Sequence, residues 1–158
     1  MASNAEPSVK HGVARLEDLP QLTELLGLLF EQEADFAPDP EKQRRALREI
    51  LSDASIGRIY VARQGATIIA MASLLFTVST AEGGKAAWLE DVVVRPEHRG
   101  RGVGRGLLEH LTASAHAEGV LRVTLLTDAD NERAHALYEG RGFRFSRMRP
   151  MRLIRVSR

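Results

Sequence analysis

Cysteine is absent from all 158 residues, which excludes disulfides, thiolate zinc sites and a cysteine nucleophile. The five histidines show no metal-ligand spacing such as H-x-x-x-H, so no metal is expected. No apolar run approaches the ~20 residues that span a bilayer, and no membrane partner is expected. The opening Met-Ala-Ser-Asn-Ala-Glu-Pro-Ser has neither the basic nor the apolar block of a signal peptide. Neither charge sign is in excess: 22 Lys and Arg face 21 Asp and Glu, which argues against a dedicated nucleic-acid binder. What is present is enough apolar residue, 44%, for a core. A chain of this length buries about two thirds of its unfolded surface. The expectation is one domain over residues 1–158, with 1–8 frayed, in a cytoplasmic protein.

Hydrophobic periodicity sets the order of elements. Val9 to Leu16 reads as a first strand. A helix follows, with Asp18 as N-cap, Pro20 in its first turn, and Leu22, Leu25, Leu26 and Leu29 at helical spacing. An acidic stretch (Glu31, Glu33, Asp35, Asp39) precedes a second, charged helix over Glu41 to Asp53. The period then changes. Ile59 to Ala62 and Thr67 to Val78 read as a hairpin turning at Gln64-Gly65, and Ala87 to Val94 as a third strong strand ended by Arg95-Pro96. A helix over Val103 to Gly119, a strand over Val120 to Thr127 and a helix over Asn131 to Arg141 come next. Phe143 to Val156 reads as a final strand pair or one long strand. The hairpin implies antiparallel pairing and the later strand–helix–strand a parallel one, so the sheet is mixed.

The most informative segment is the turn after the third strong strand. Gly100, Gly102, Gly104 and Gly106 alternate with Arg101, Val103 and Arg105, and Arg99 precedes them. Glycine allows positive φ and close approach of a ligand to the backbone. The first amides of the following helix have no internal partner, and its dipole favours an anion. Such a turn suits a phosphate or pyrophosphate. It is not a P-loop, because Gly-Lys-Ser/Thr is missing, and it is not G-x-G-x-x-G, because Arg105 and Leu107 stand where glycine is needed. A third reading, an Arg-Gly RNA-binding tract, belongs to disordered segments, whereas this one is held between strand and helix signals.

Arg99-Gly100-Arg101-Gly102-Val103-Gly104 matches Q/R-x-x-G-x-G/A, and the chain resembles the GNAT superfamily of acetyl-CoA-dependent N-acetyltransferases along nearly its whole length. Val-x-Pro-x-His-Arg before the turn and Leu-Tyr-Glu-x-x-Gly-Phe after it strengthen the match. The resemblance implies an α/β fold: a central, mixed, mostly antiparallel sheet of six or seven strands with a splayed parallel pair, flanked by about four helices. It implies acetyl-CoA as acyl donor, with the backbone of Val92, Val93 and Val94 on the pantetheine arm and the amides of Gly100 to Arg105 on the pyrophosphate. Arg99, Arg101 and Arg105 add positive charge, and Asn131 contacts the pantetheine arm. In the family's pattern Tyr138 protonates the leaving thiolate, which a phenol of pKa ~10 can do at neutral pH.

Plain structural readings stand beside these. Asn131 also reads as a helix cap, and Tyr138, two turns further on the same face, as a core aromatic. Relatives often place a carboxylate base on the cofactor strand. Glu90 is named first for this and Asp91 second. Alternation sends the two to opposite faces, with Glu90 sharing parity with Val92 and Val94. A solvated or salt-bridged strand residue is the other reading of either acid. Trp88 and Phe76 read as core or as lining of the acceptor cleft. Residues 141–158 hold seven arginines and no acid, which reads as a solvated strand face or as an attraction for the cofactor's 3′-phosphate or an acidic partner. The implied activity is acetyl transfer to a primary amine of a small molecule or peptide, by direct attack in a ternary complex. The rival is a non-catalytic acyl-CoA-binding regulatory module. A weak preference for a cationic amine follows from the acidic stretch. A homodimer is implied by the resemblance alone.

Overall fold

The computed structural model describes residues 7–33 and 35–155. Five strands form one sheet in chain order: β1 (Val9–Val13), β2 (Gly57–Gln64), β3 (Thr67–Ser79), β4 (Gly84–Val94) and β5 (Arg122–Leu125). The first four pair antiparallel, and β5 pairs parallel to β4. Four helices flank the sheet: α1 (Leu19–Phe30), α2 (Pro40–Ser52), α3 (Val103–Ala117) and α4 (Glu132–Glu139).

The helices segregate because their apolar stripes match opposite faces of the sheet. Leu22, Leu25 and Leu26 of α1 and Leu47 of α2 pack with Ile59, Val61, Ile68, Met71 and Val93. Leu107, Leu108 and Leu111 of α3 pack with Tyr60, Ile69, Leu74, Ala87 and Leu89 on the other side, where Leu137, Tyr138 and Phe143 also lean. Leu22, Leu25, Leu107, Leu108 and Leu111 are fully buried, and each such side chain is worth about 1.5–3 kcal/mol of transfer free energy.

Local signals place the ends. Asp39 caps α2, its carboxylate accepting from the Lys42 N–H at 3.2 Å. Asp18 sits at the N-cap of α1, but its carboxylate turns away from that helix. It accepts from the Arg15 N–H at 2.7 Å and from Arg63 at 2.5 Å. Burial works against its charge, yet these two partners together hold its carboxyl below the usual carboxylate range. The chain therefore turns at Arg15, and β1 ends at Val13, short of the expected Leu16.

Three expectations are corrected. The sheet has five strands among the described residues, where six or seven are expected. Residues 143–155 form no strand; Val156 lies outside the described residues. β5 spans Arg122–Leu125, a segment shorter than Val120 to Thr127; among the described residues it pairs with Ala86–Leu89 of β4. Of the segment expected to fray, residues 1–6 lie outside the described residues. Pro7 is tied in, its carbonyl accepting from Gln64 Nε2 at 3.1 Å.

Candidate active site

Beyond Leu89 and Leu125 the parallel pair ends, and among the described residues β4 runs on to Val94 with no strand beside it on the β5 side. At the same point β4 carries one extra residue. Ser73 stands opposite Glu90 and Met71 opposite Val93, so Asp91 and Val92 together face Ala72. Asp91 takes φ +54°, the left-handed region that Asp tolerates better than most residues.

This bulge corrects the parity argument. Leu89, Val92 and Val94 all belong to the α3 side, a spacing of three between the first two, whereas Val93 belongs to the α1 side. Glu90 therefore does not share a face with Val92 and Val94, and alternation does not separate it from Asp91. Glu90 is exposed; Asp91 is partly buried. Burial and then the Glu90 carboxylate push the Asp91 carboxyl up to about 6, against a pull from the Ser73 hydroxyl and with a smaller push from the Glu33 carboxylate. Ser73 is fully buried, and its oxygen makes no hydrogen bond of ordinary geometry.

Tyr138, in the last turn of α4, packs edge-on against Phe143 with ring centroids 5.8 Å apart. Burial and then Glu33 push its phenol up to about 12. Glu33, just past α1, is itself raised by burial, by Asp128 and by Asp35. One carboxylate thus acts on both Asp91 and Tyr138, and the opening is acidic. Trp88, two residues before Glu90, is 39% exposed. Phe76 is half-buried, with the Lys85 ammonium 3.8 Å from its ring centre and Arg58 at 5.3 Å.

The glycine turn lies at the end of β4. A 3₁₀ turn over Pro96–His98 leads into Gly100 at φ +72° and Gly102 at φ +77°, conformations in which a side chain is strained. The first intrahelical bond of α3 runs from the Gly106 N–H to the Gly102 carbonyl at 3.0 Å, leaving the amides of Val103, Gly104 and Arg105 without helical acceptors. Gly104 faces inward: a Cβ there would stand 3.4 Å from Val94 and 3.6 Å from Leu137. The start of α3 thus lies against Val94 of β4 and Leu137 of α4. Arg105 is exposed. Arg99 folds back, Nε donating to the Val94 carbonyl at 3.0 Å, which ties the turn to the strand. Asn131 caps α4, its Oδ1 accepting from the Ala134 N–H at 3.1 Å.

Sequence reasoning names Tyr138, Glu90, Asp91 and the turn, and it includes Glu33 in an acidic stretch. Ser73 and Asp128 are missed, because only tertiary pairing brings them near Asp91 and Glu33. The turn fits a coenzyme A diphosphate on its chemistry: free helix N-terminal amides, two left-handed glycines and neighbouring arginines. No group of three or more His, Asp or Glu able to hold a metal occurs among the described residues. No helix among them is long and apolar enough to cross a membrane.

The model of the Acetyltransferase (GNAT) family matches residues 19–143. The chain is 31% identical over 141 residues to a glucosamine 6-phosphate N-acetyltransferase of Trypanosoma brucei brucei, covering 86% of this chain and 88% of that one. Over 57 residues it is 44% identical to the ribosomal protein bS18 alanine N-acetyltransferase of Salmonella typhimurium, 36% of this chain and 38% of that one. A predicted acetyltransferase of Clostridium acetobutylicum, solved with acetyl-CoA, shares the fold at TM-score 0.76 and 18% identity, covering 92% of this chain and 96% of that one. The matched glycine turn, the parallel pair that ends on the strand leading into it and the extent of these similarities lead to one conclusion: the chain is an acyltransferase that belongs to the GNAT family of acetyltransferases.

Proposed function

We propose that this protein transfers the acetyl group of acetyl-CoA to a primary amine by direct attack while both substrates are bound. Asp91 serves as base and Tyr138 as acid. The carrying observation is the pair of shifted groups at the opening between β4 and β5: a carboxyl at about 6 and a phenol at about 12, with the Glu33 carboxylate acting on both. The absence of cysteine supports direct attack, because no thiol is present to carry an acyl group.

Bound acetyl-CoA supplies an activated thioester. The amides of Val103 to Arg105 and the turn around Gly100 and Gly102 hold its diphosphate. A helix N-terminus contributes up to ~2 kcal/mol to such an anion, so several donors act together. The strand backbone at Val92 to Val94 orients the pantetheine arm, and the open β5 side of that strand supports this reading. Arg99 and Asn131 act here as positioning residues, since both hold backbone groups of the turn and of α4.

An ammonium cannot attack a thioester. Asp91, largely ionised at pH 7, takes one proton from the acceptor nitrogen. The nitrogen lone pair then forms the new bond to the acetyl carbon, and the carbon–sulfur bond breaks. Tyr138 gives its phenolic proton to the leaving sulfur. A phenol held at about 12 stays protonated until that negative charge develops. The second proton of the acceptor nitrogen, made acidic by the new bond, leaves to solvent as the amide forms. Asp91 and Tyr138 return to their starting states by proton exchange with solvent. Asp91 is preferred to Glu90 because Asp91 is partly buried, with its carboxyl raised to about 6, whereas Glu90 is exposed. The acidic opening, with Glu33, Glu90 and Asp128, supports an acceptor that arrives positively charged.

The test is thiol release from acetyl-CoA across a panel of primary amines. Tyr138→Phe is expected to lower kcat about 10²–10⁴-fold with little change in KM for acetyl-CoA. Turnover by Tyr138→Phe equal to wild type would overturn the assignment of the acid.

A further inference from the structure

One buried polar side chain beside the site has no task in the mechanism above. Ser73 is fully buried, and its Oγ has no hydrogen-bond partner of ordinary geometry among the described residues. Buried hydroxyls in folded proteins are as a rule satisfied, so an orphaned one calls for a partner. The register of the sheet supplies it. Ser73 stands opposite Glu90, and the pairing of β3 with β4 slips between Met71 and Ser73. Ser73 therefore borders the bulge, and its hydroxyl acts on the carboxyl of Asp91, the residue at φ +54°. Ala72 and Leu74 belong to the α3 side, which turns Ser73 to the face where Met71 packs with the leucines of α1. In so apolar a layer a charged acceptor within reach is strongly favoured over none.

We propose that Ser73 is a positioning residue for acetyl transfer: its hydroxyl donates to one oxygen of the ionised Asp91 carboxylate and leaves the other oxygen to take the proton of the acceptor nitrogen. This role rests on Asp91 being the base. A donor to the charged form opposes whatever disfavours that charge. Burial, Glu90 on β4 itself and Glu33 beyond α1 all favour the proton on Asp91, and the Ser73 hydroxyl pulls the other way. Glu24, the acid within α1, is committed to Arg95 at 2.8 Å. Ser73 thus helps to keep the base ionised at pH 7. It also gives the base a fixed direction. β3 is paired on both sides, by β2 and by β4, so Ser73 is a rigid point, whereas Asp91 sits where β4 departs from regular alternation. A base held from a rigid strand keeps its productive geometry.

Ser73→Ala removes the donor and little volume. The titration midpoint of the Asp91 carboxyl is followed by carbon-13 NMR in the free protein, its signal identified by loss in Asp91→Asn. In Ser73→Ala that midpoint is expected to rise by about half to one pH unit. The acid limb of kcat/KM, measured with a primary amine that the wild type turns over, should rise by the same amount. Ser73→Ala then loses about three- to tenfold in rate below pH 6 and little above pH 8. Added to Asp91→Asn, it should cost nothing further. Ser73→Thr keeps the hydroxyl and should keep a midpoint near the wild-type value. A midpoint that stays or falls in Ser73→Ala, while Asp91→Asn still removes the limb, would overturn the role of Ser73 alone. So would a rise in Ser73→Thr equal to that in Ser73→Ala, or an equal loss of rate at every pH, which is what a packing role gives. A midpoint that rises while the rate limb stays would overturn Asp91 as the base, and the role of Ser73 in transfer with it.

Discussion

The Asp91 carboxyl titrates near pH 6 because burial, then Glu90 and Glu33, disfavour its charge. Its folded value lies above the ordinary 3.8, so between those values the folded protein holds the proton more tightly than the unfolded chain does. The ionised carboxylate therefore destabilises the fold. The cost is absent below about pH 4, develops up to pH 6 and is complete above it, at about 1–3 kcal/mol. Asp91→Asn keeps the shape and tolerates φ +54°. It is expected to raise stability by that amount at pH 8 and by nothing at pH 3.5, read from urea midpoints. In wild type, kcat/KM should rise as pH passes about 6, and Asp91→Asn should lose that limb together with at least a hundredfold in rate. A higher rate limb unaffected by the substitution would assign the base elsewhere. From sequence, two adjacent acids on a strand are visible, but which one is buried is not. The extra residue at the bulge cancels the period-two rule, and no local residue type announces it.

At the scale of elements, the start of α3 depends on what its glycines lack. Gly100 and Gly102 take left-handed φ, so their presence was readable as a turn. Gly104 faces the interior: a Cβ there would be in ordinary contact with Val94 and Leu137, so a side chain larger than a methyl group would press on both. Gly104→Val is expected to push the helix start away from β4 by a few tenths of an ångström or more. That shift misplaces three amides at once, so KM for acetyl-CoA should rise at least tenfold while circular dichroism remains native. An unchanged KM would show that these amides do not hold the diphosphate. Helix limits were legible to within a residue or two, since Pro40, Asp39, Gly119 and Asn131 act through neighbours in the chain. The last segment was not, because five apolar residues in an Arg-rich tail specify a strand only when an edge is beside them.

The whole molecule is held together across its layers by a few ties distant in sequence. Arg95 donates from Nε to the Ile68 carbonyl at 2.8 Å and through both terminal nitrogens to Glu24 at 2.8 and 3.2 Å. It thereby joins α1 to the end of β4, next to the glycine turn. Its side chain is 12% exposed, so Arg95→Ala should cost about 2–4 kcal/mol. Removing the exposed Arg15–Glu17 pair should cost under about 0.5 kcal/mol. Guanidinium midpoints of the two variants check the contrast; equal losses would refute it. Helices, hairpin, glycine turn and family were written in the order of residues, because caps, periodicity and turn chemistry act over a few neighbours. The bulge that turns Asp91 inward, the approach of Glu33 to Tyr138 and the uncovered edge at β5 arise from contacts between segments tens of residues apart. Such contacts set burial and field strength, and those quantities exist only once the chain has folded.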